Sequence, residues 1–121
     1  MPQPYSIHTD VQFPPLTLFD VEVLAKSRPD KWWNQSLVRV NESVVRLGVF
    51  EGEFHWHKHD LEDELFYVVE GRLFLDLEGK THEMLPGQGF VVPRGVVHRT
   101  RAPSRTVVLM VEAATVKPTG D

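Results

Sequence analysis

The chain has 121 residues, 41% of them hydrophobic, with a formal charge of −4 and a pI near 5.8. That is one ordinary domain with enough apolar residues for a single core, and its acidic balance argues against a nucleic-acid or anionic-membrane surface. It contains no cysteine, which excludes disulfides and thiolate–zinc sites, leaves only nitrogen and oxygen ligands for any metal, and fits a cytoplasmic protein.

In chain order, residues 1–15 are polar and proline-rich and read as a flexible N-terminal arm. They lack the basic and apolar regions of a signal peptide, and no apolar run approaches the length needed to span a membrane. Residues 16–26 are compatible with a helix, through Phe19, Val23 and Leu24, or with a strand, through Val21 and Val23. Ser27-Arg28-Pro29-Asp30 reads as a break, and Trp32-Trp33 follows as core, lid or dimer surface. Leu37–Val40 and Val44–Phe50 are rich in β-branched residues and read as strands joined by a turn at Asn41-Glu42-Ser43. Further strands are expected over Phe54–His59, Leu65–Glu70, Arg72–Glu78, Thr81–Leu85, Phe90–Pro93, Val96–Arg101 and Thr106–Ala113. Turn signals every eight to twelve residues give the rhythm of a sandwich or barrel. The polar residues 117–121 read as a mobile tail, leaving 16–116 as the barrel domain.

His57 and His59, two residues apart, share a face of an extended segment, and Glu64 opens the next apolar run. A carboxylate there is costly to bury unless it is paired or metal-bound. His98 comes from a distant segment, with Gly87, Pro93 and Gly95 supplying the turns that could return it. Three imidazoles and a carboxylate suit manganese, iron, nickel or zinc, and the sequence does not choose among them.

Gly52, His57-x-His59, Glu64 and Gly71, followed by Gly87, Pro93, Gly95 and His98, resemble the two motifs of the cupin superfamily. Two positions depart from the pattern: Gly52 lies one residue closer to the first histidine, and Ala102 stands where the second motif has asparagine. Neither is a ligand position. The resemblance runs from about Leu16 to Asp121 and is closest to small single-domain bacterial cupins, often labelled mannose-6-phosphate isomerase-like. It implies an all-β fold, an antiparallel jelly-roll barrel (the cupin double-stranded β-helix), with the metal held inside by His57, His59, Glu64 and His98. It also implies a homodimer.

Function follows less directly, because many activities share one barrel. One reading is a metal-dependent isomerase, epimerase or dioxygenase acting on a small polar metabolite. The alternative is a non-catalytic small-ligand-binding or sensing module. No catalytic base stands out, with His55 and Glu53 only guesses. His8 and His82 read as solvated, and the Arg94, Arg99, Arg101 and Arg105 cluster as solvated or interfacial. Arg46, inside an apolar run, must find a partner, solvent or an anionic ligand.

Overall fold

In the computed structural model, residues 5–28 and 30–121 are described. The helix–strand ambiguity at 16–26 resolves into one short helix, α1 (Val21–Lys26). Asp20 caps it by accepting a hydrogen bond from the Val23 amide at 3.0 Å, and Glu22 pairs with Lys26 at 2.8 Å. The remaining elements are β1 (Ser6–His8), β2 (Trp32–Val40), β3 (Ser43–Glu53), β4 (Glu64–Glu70), β5 (Leu73–Leu77), β6 (Lys80–Met84), β7 (Gly89–Val92) and β8 (His98–Ala113). They form one eight-stranded sheet in the order β1-β2-β3-β8-β4-β7, with β5 and β6 branching from β8. This is the all-β jelly-roll architecture, folded over on itself rather than closed by a last strand pair. No helix among the described residues is long and apolar enough to cross a membrane.

Four elements differ from the sequence reading. Within the arm, Ser6–His8 is a strand, paired parallel to Trp33–Gln35 of β2. The two strands read at 96–101 and 106–113 are a single strand, β8. Its Pro103 falls where the β3 pairing shifts between Phe50 and Gly52, so the missing amide breaks no ladder bond. Phe54–His59 is not a regular strand. The β3–β8 pairing shifts register before Gly52, at φ +112, and ends at Glu53; beyond it the Phe54 amide donates to Thr100 O at 2.9 Å and His57 forms an isolated bridge to His98. Residues 117–121 are bonded to the body: the Asp121 amide donates to Lys58 O at 2.9 Å, and the Asp60 amide to Asp121 Oδ2 at 2.7 Å.

Two apolar clusters hold the layers together. Inside the barrel, Trp32, Phe50 and Phe54 stack, with centroids 4.1 and 5.3 Å from Trp32, alongside Phe66, Val68, Leu73, Leu75, Val108 and Met110. Outside β2 and β3, Trp33, Leu37, Leu47 and Val107 pack against α1 and Phe19. Trp32 and Trp33 are therefore both core. Each such side chain contributes about 1.5–3 kcal/mol by leaving water. Gly48 makes the aromatic stack possible: a Cβ there would lie 2.2 Å from Phe50 Cζ, so the ring lies flat across the glycine. Ala102 is buried in the same interior cluster, on the face its parity with His98 predicts.

Candidate metal centre

His57, His59, Glu64 and His98 come from three separate parts of the fold, and each offers a ligand atom within 4.8 Å of all the others. β8 supplies His98, and the backbones of His57 and His98 exchange hydrogen bonds of 2.8 and 2.9 Å, which fixes the two side by side. β4 opens with Glu64, whose Cα partners are Val92 of β7 and Glu112 of β8. His59 follows two residues after His57, and its carbonyl accepts from the Gly95 amide at 2.8 Å. That bond ties the first histidine segment to the turn that precedes His98.

The hydrogen bonds also set the tautomers. His57 Nδ1 lies 3.0 Å from the His55 carbonyl, and His98 Nδ1 lies 2.9 Å from the Val96 carbonyl. A carbonyl cannot donate, so each Nδ1 carries the hydrogen and each Nε2 presents a lone pair. Glu64 Oε1 lies 3.5 Å from His59 Nε2 and 3.4 Å from His98 Nε2. Yet Glu64 Oε1, His98 Nε2 and both ring nitrogens of His59 are buried without a hydrogen-bond partner among the described residues. Buried lone pairs turned toward one another are costly unless a cation sits among them. The group therefore fits a divalent metal, and its three nitrogens and one oxygen match first-row transition ions.

Electrostatics follow from burial and contact. Burial holds the His57 imidazole down at about 4, so it stays neutral. Burial also lowers His59, but its contact with the Glu64 carboxylate outweighs this and raises it above its ordinary value. For Glu64, burial alone would favour the neutral acid, yet its polar neighbours Glu112, His59 and His98 hold it well below the usual carboxylate range. Burial and the adjoining Glu64 charge push Glu112 up to about 10. Glu112 thus favours its neutral form, beside the charged Glu64.

Arg46 takes one of the options its sequence left open, a partner within the protein. It is 2% exposed and finds protein partners: Nε donates to Asn34 Oδ1 at 2.8 Å and Nη1 to Ser36 Oγ at 2.6 Å, with Glu112 Oε1 3.3 Å from Nε. A polar chain runs from the ligand group inward through Glu64, Glu112 and Arg46 to Asn34 and Ser36. Sequence reasoning overlooked Glu112 and Asn34. The available signal was parity, since Glu112 shares the inward face of β8 with Val108 and Met110.

Other candidates lie elsewhere. His55 stands outside the ligand group and donates through Nε2 to the Thr119 carbonyl at 2.7 Å. Glu53 is exposed and pairs with Arg99 at 3.6 Å. Arg99 and Arg101 converge on Asp76 at 2.9 and 2.8 Å, with Thr81 donating to the same carboxylate. Burial works against the Asp76 charge, but these bonds outweigh it and hold Asp76 at about 2. A lowered carboxylate stabilises the fold above its unfolded value and loses that contribution as pH falls toward the folded one. Stability should therefore decline between about pH 4 and pH 2, and Asp76→Asn should flatten that decline in urea titrations run at each pH. An unchanged slope would remove Asp76 as its source.

One cavity adjoins the ligand group. It is walled mainly by Trp32, Phe50, Phe54, Phe66 and Met110, with His57 and Glu64 at one side and Pro118 closing it. Its free space, about 20 Å3, holds one water molecule. Gly120, at φ +93, lies against His57, where a Cβ would come within 2.5 Å of the histidine Cβ. The terminal segment thus covers the outer side of the ligand group.

A barrel with three histidines and a glutamate gathered inside defines a cupin-type protein. The chain belongs to the cupin family: the family model described as "Cupin domain" matches residues 43–112. It is 44% identical to YdbB of Bacillus subtilis (strain 168) over 90 residues, which is 74% of this chain and 80% of that protein. Among solved structures, a cupin-2 domain containing protein from Shewanella frigidimarina superposes with a TM-score of 0.76 at 26% identity, covering 79% of this chain and 94% of the other. Protein NMB1881 of Neisseria meningitidis superposes at 0.72 and 21% identity, covering 80% and 99%, a likeness of fold.

Proposed function

We propose that the protein is a metal-binding cupin that acts on a small metabolite, with His57, His59, Glu64 and His98 as the metal ligands. The observation that carries this reading is the set of buried, partnerless lone pairs on His59, Glu64 and His98. When bound, the metal would supply a Lewis acid able to polarise a substrate oxygen or acidify a water. The protein's own residues do the rest. Val96 and His55 orient two imidazoles through their carbonyls, Glu112 stands beside Glu64 across the β4–β8 pairing, and the aromatic wall excludes bulk water. A compact carbonyl, enol or diol compound with an apolar frame suits both metal and wall, and isomerase, epimerase or dioxygenase chemistry is within reach of the group. On the outer face of β4 and β7, the part-exposed Tyr67 and Val91 support a homodimer.

Metal content of tag-free, chelator-free protein tests this by inductively coupled plasma mass spectrometry. Near-stoichiometric manganese, iron, nickel or zinc is expected. Affinity should rise with pH, because the neighbouring Glu64 carboxylate favours the protonated form of His59, and any such proton must leave before a metal binds. Failure to bind any of the four ions after reloading would overturn the reading.

The narrow cavity favours a second reading, a non-catalytic small-ligand-binding module, since only one water fits beside the ligand group as it stands. Turnover in a substrate screen supports the enzyme, and saturable binding without turnover supports the module.

A further inference from the structure

The cavity beside the ligand group, about 20 Å3 of free space, is too small for a hydrated ion or a metabolite. Whatever reaches the histidines must first move part of the wall. Most of that wall cannot move cheaply. The aromatic rings and Met110 belong to the buried core, and Asn34, Glu64 and Thr100 are buried on paired strands. Of the lining residues only His57 and Pro118 are not buried, so the mouth of the cavity lies where these two meet.

Pro118 stands on a short strap, residues 117–121, that is held differently from the rest of the wall. Its base is firm: Val116 is buried, and its amide donates to the Ala113 carbonyl at 3.0 Å. Beyond that, the strap is tied to the histidine segment by surface hydrogen bonds. Thr119 O accepts from His55 Nε2 at 2.7 Å, the Asp121 amide donates to Lys58 O at 2.9 Å, and Asp121 Oδ2 accepts from the Asp60 amide at 2.7 Å. Lys117, Thr119 and Asp121 are exposed, so water can replace each bond as it breaks. Pro118 is the strap's one apolar side chain. A segment with so little buried apolar surface and exposed hydrogen bonds opens locally while the body stays folded.

We propose that residues 117–121 are a gate over the ligand group. The strap swings about Lys117, lifts Pro118 from the cavity mouth and Gly120 from His57, admits an ion or small ligand, and closes over it. What enters rests on the metal reading, but the movement does not.

The chain has no cysteine, so a lock can be built without competing thiols. Lys58 and Asp121 already share a backbone hydrogen bond, close enough for a disulfide between Lys58→Cys and Asp121→Cys. The oxidised and reduced forms of this variant differ only in the lock. The first readout is acrylamide quenching of Trp32, which lines the cavity, in metal-free protein that also carries Trp56→Phe. Trp33, buried in the outer cluster, adds a constant background. The second readout is the rate of zinc uptake by stopped flow. Oxidation should suppress quenching and slow uptake, and a thiol reductant should restore both. With an open state populated at about 10% or less, deleting residues 117–121 should speed uptake about tenfold or more. If no form takes up zinc, the metal reading fails and the quenching alone decides the gate. Quenching, or zinc uptake where it occurs, that is the same in the oxidised, reduced and deleted forms overturns the proposal.

Discussion

His98→Ala should lower metal affinity more than about 100-fold while leaving the barrel folded. Loss of a residue that merely orients a ligand costs 10–100-fold, and here a ligand itself is removed. The fold should survive because His98 contributes to the ladder through its backbone, which exchanges hydrogen bonds with His57 whatever the side chain. The lost side chain gives up one hydrogen bond, to Val96 O, and the remaining void costs about 1–3 kcal/mol. His57→Ala should behave alike. Competition titration against a chromogenic chelator reads the affinity, and far-UV circular dichroism reads the fold. Full metal occupancy in both variants would show that the ion, if present, sits elsewhere.

The second large effect is structural. Gly71→Ala should destabilise the protein by about 2–4 kcal/mol, combining backbone strain with overpacking. Gly71 adopts φ +90, and a Cβ there would lie 2.8 Å from both the Arg105 carbonyl oxygen and Thr106 Cα. That neighbour cannot retreat cheaply. Thr106 Oγ1 accepts from the Arg72 amide at 3.1 Å, and its hydroxyl lies 3.0 Å from the Arg72 and Ser104 carbonyls. The turn after β4 is thereby clamped to the middle of β8. Gly79→Ala is the matched control, with a similar φ of +74 but nothing within 4 Å of the added carbon, so it should cost only about 1 kcal/mol. Equal urea midpoints for the two variants would refute the close-approach argument.

The ligand group could be read from the chain because its chemistry is written locally. A histidine pair at strand spacing and a carboxylate opening an apolar run are both unusual burdens for a core. The support behind it could not be read. Glu64 meets Glu112 through a register between strands almost fifty residues apart, and no local pattern encodes that pairing. Arg46 was legible as an anomaly in an apolar run, but its partners come from β2 and β8 and depend on the same unseen registers. Strand content was clear from β-branched runs and turn residues. The continuity of β8 was hidden by Pro103, which ordinarily ends a strand and here sits where the ladder has no partner to lose. The six-residue α1 is too short for its apolar spacing to exclude a strand.

The arrangement of β8 also sets a timetable. This strand pairs with β3, β4 and β5, each laid down well before it, so most of the sheet stays without its central partner until β8 is complete. Contacts between distant segments of chain form slowly. As the polypeptide is synthesised, His57, His59 and Glu64 emerge well before His98 and before the strand that carries Glu112. An ion arriving early would meet a partial, flexible group in a chain with exposed strand edges. The four candidate ligands can therefore come together only once β8 has paired, so an ion held by all of them would be captured late, after the sheet has formed.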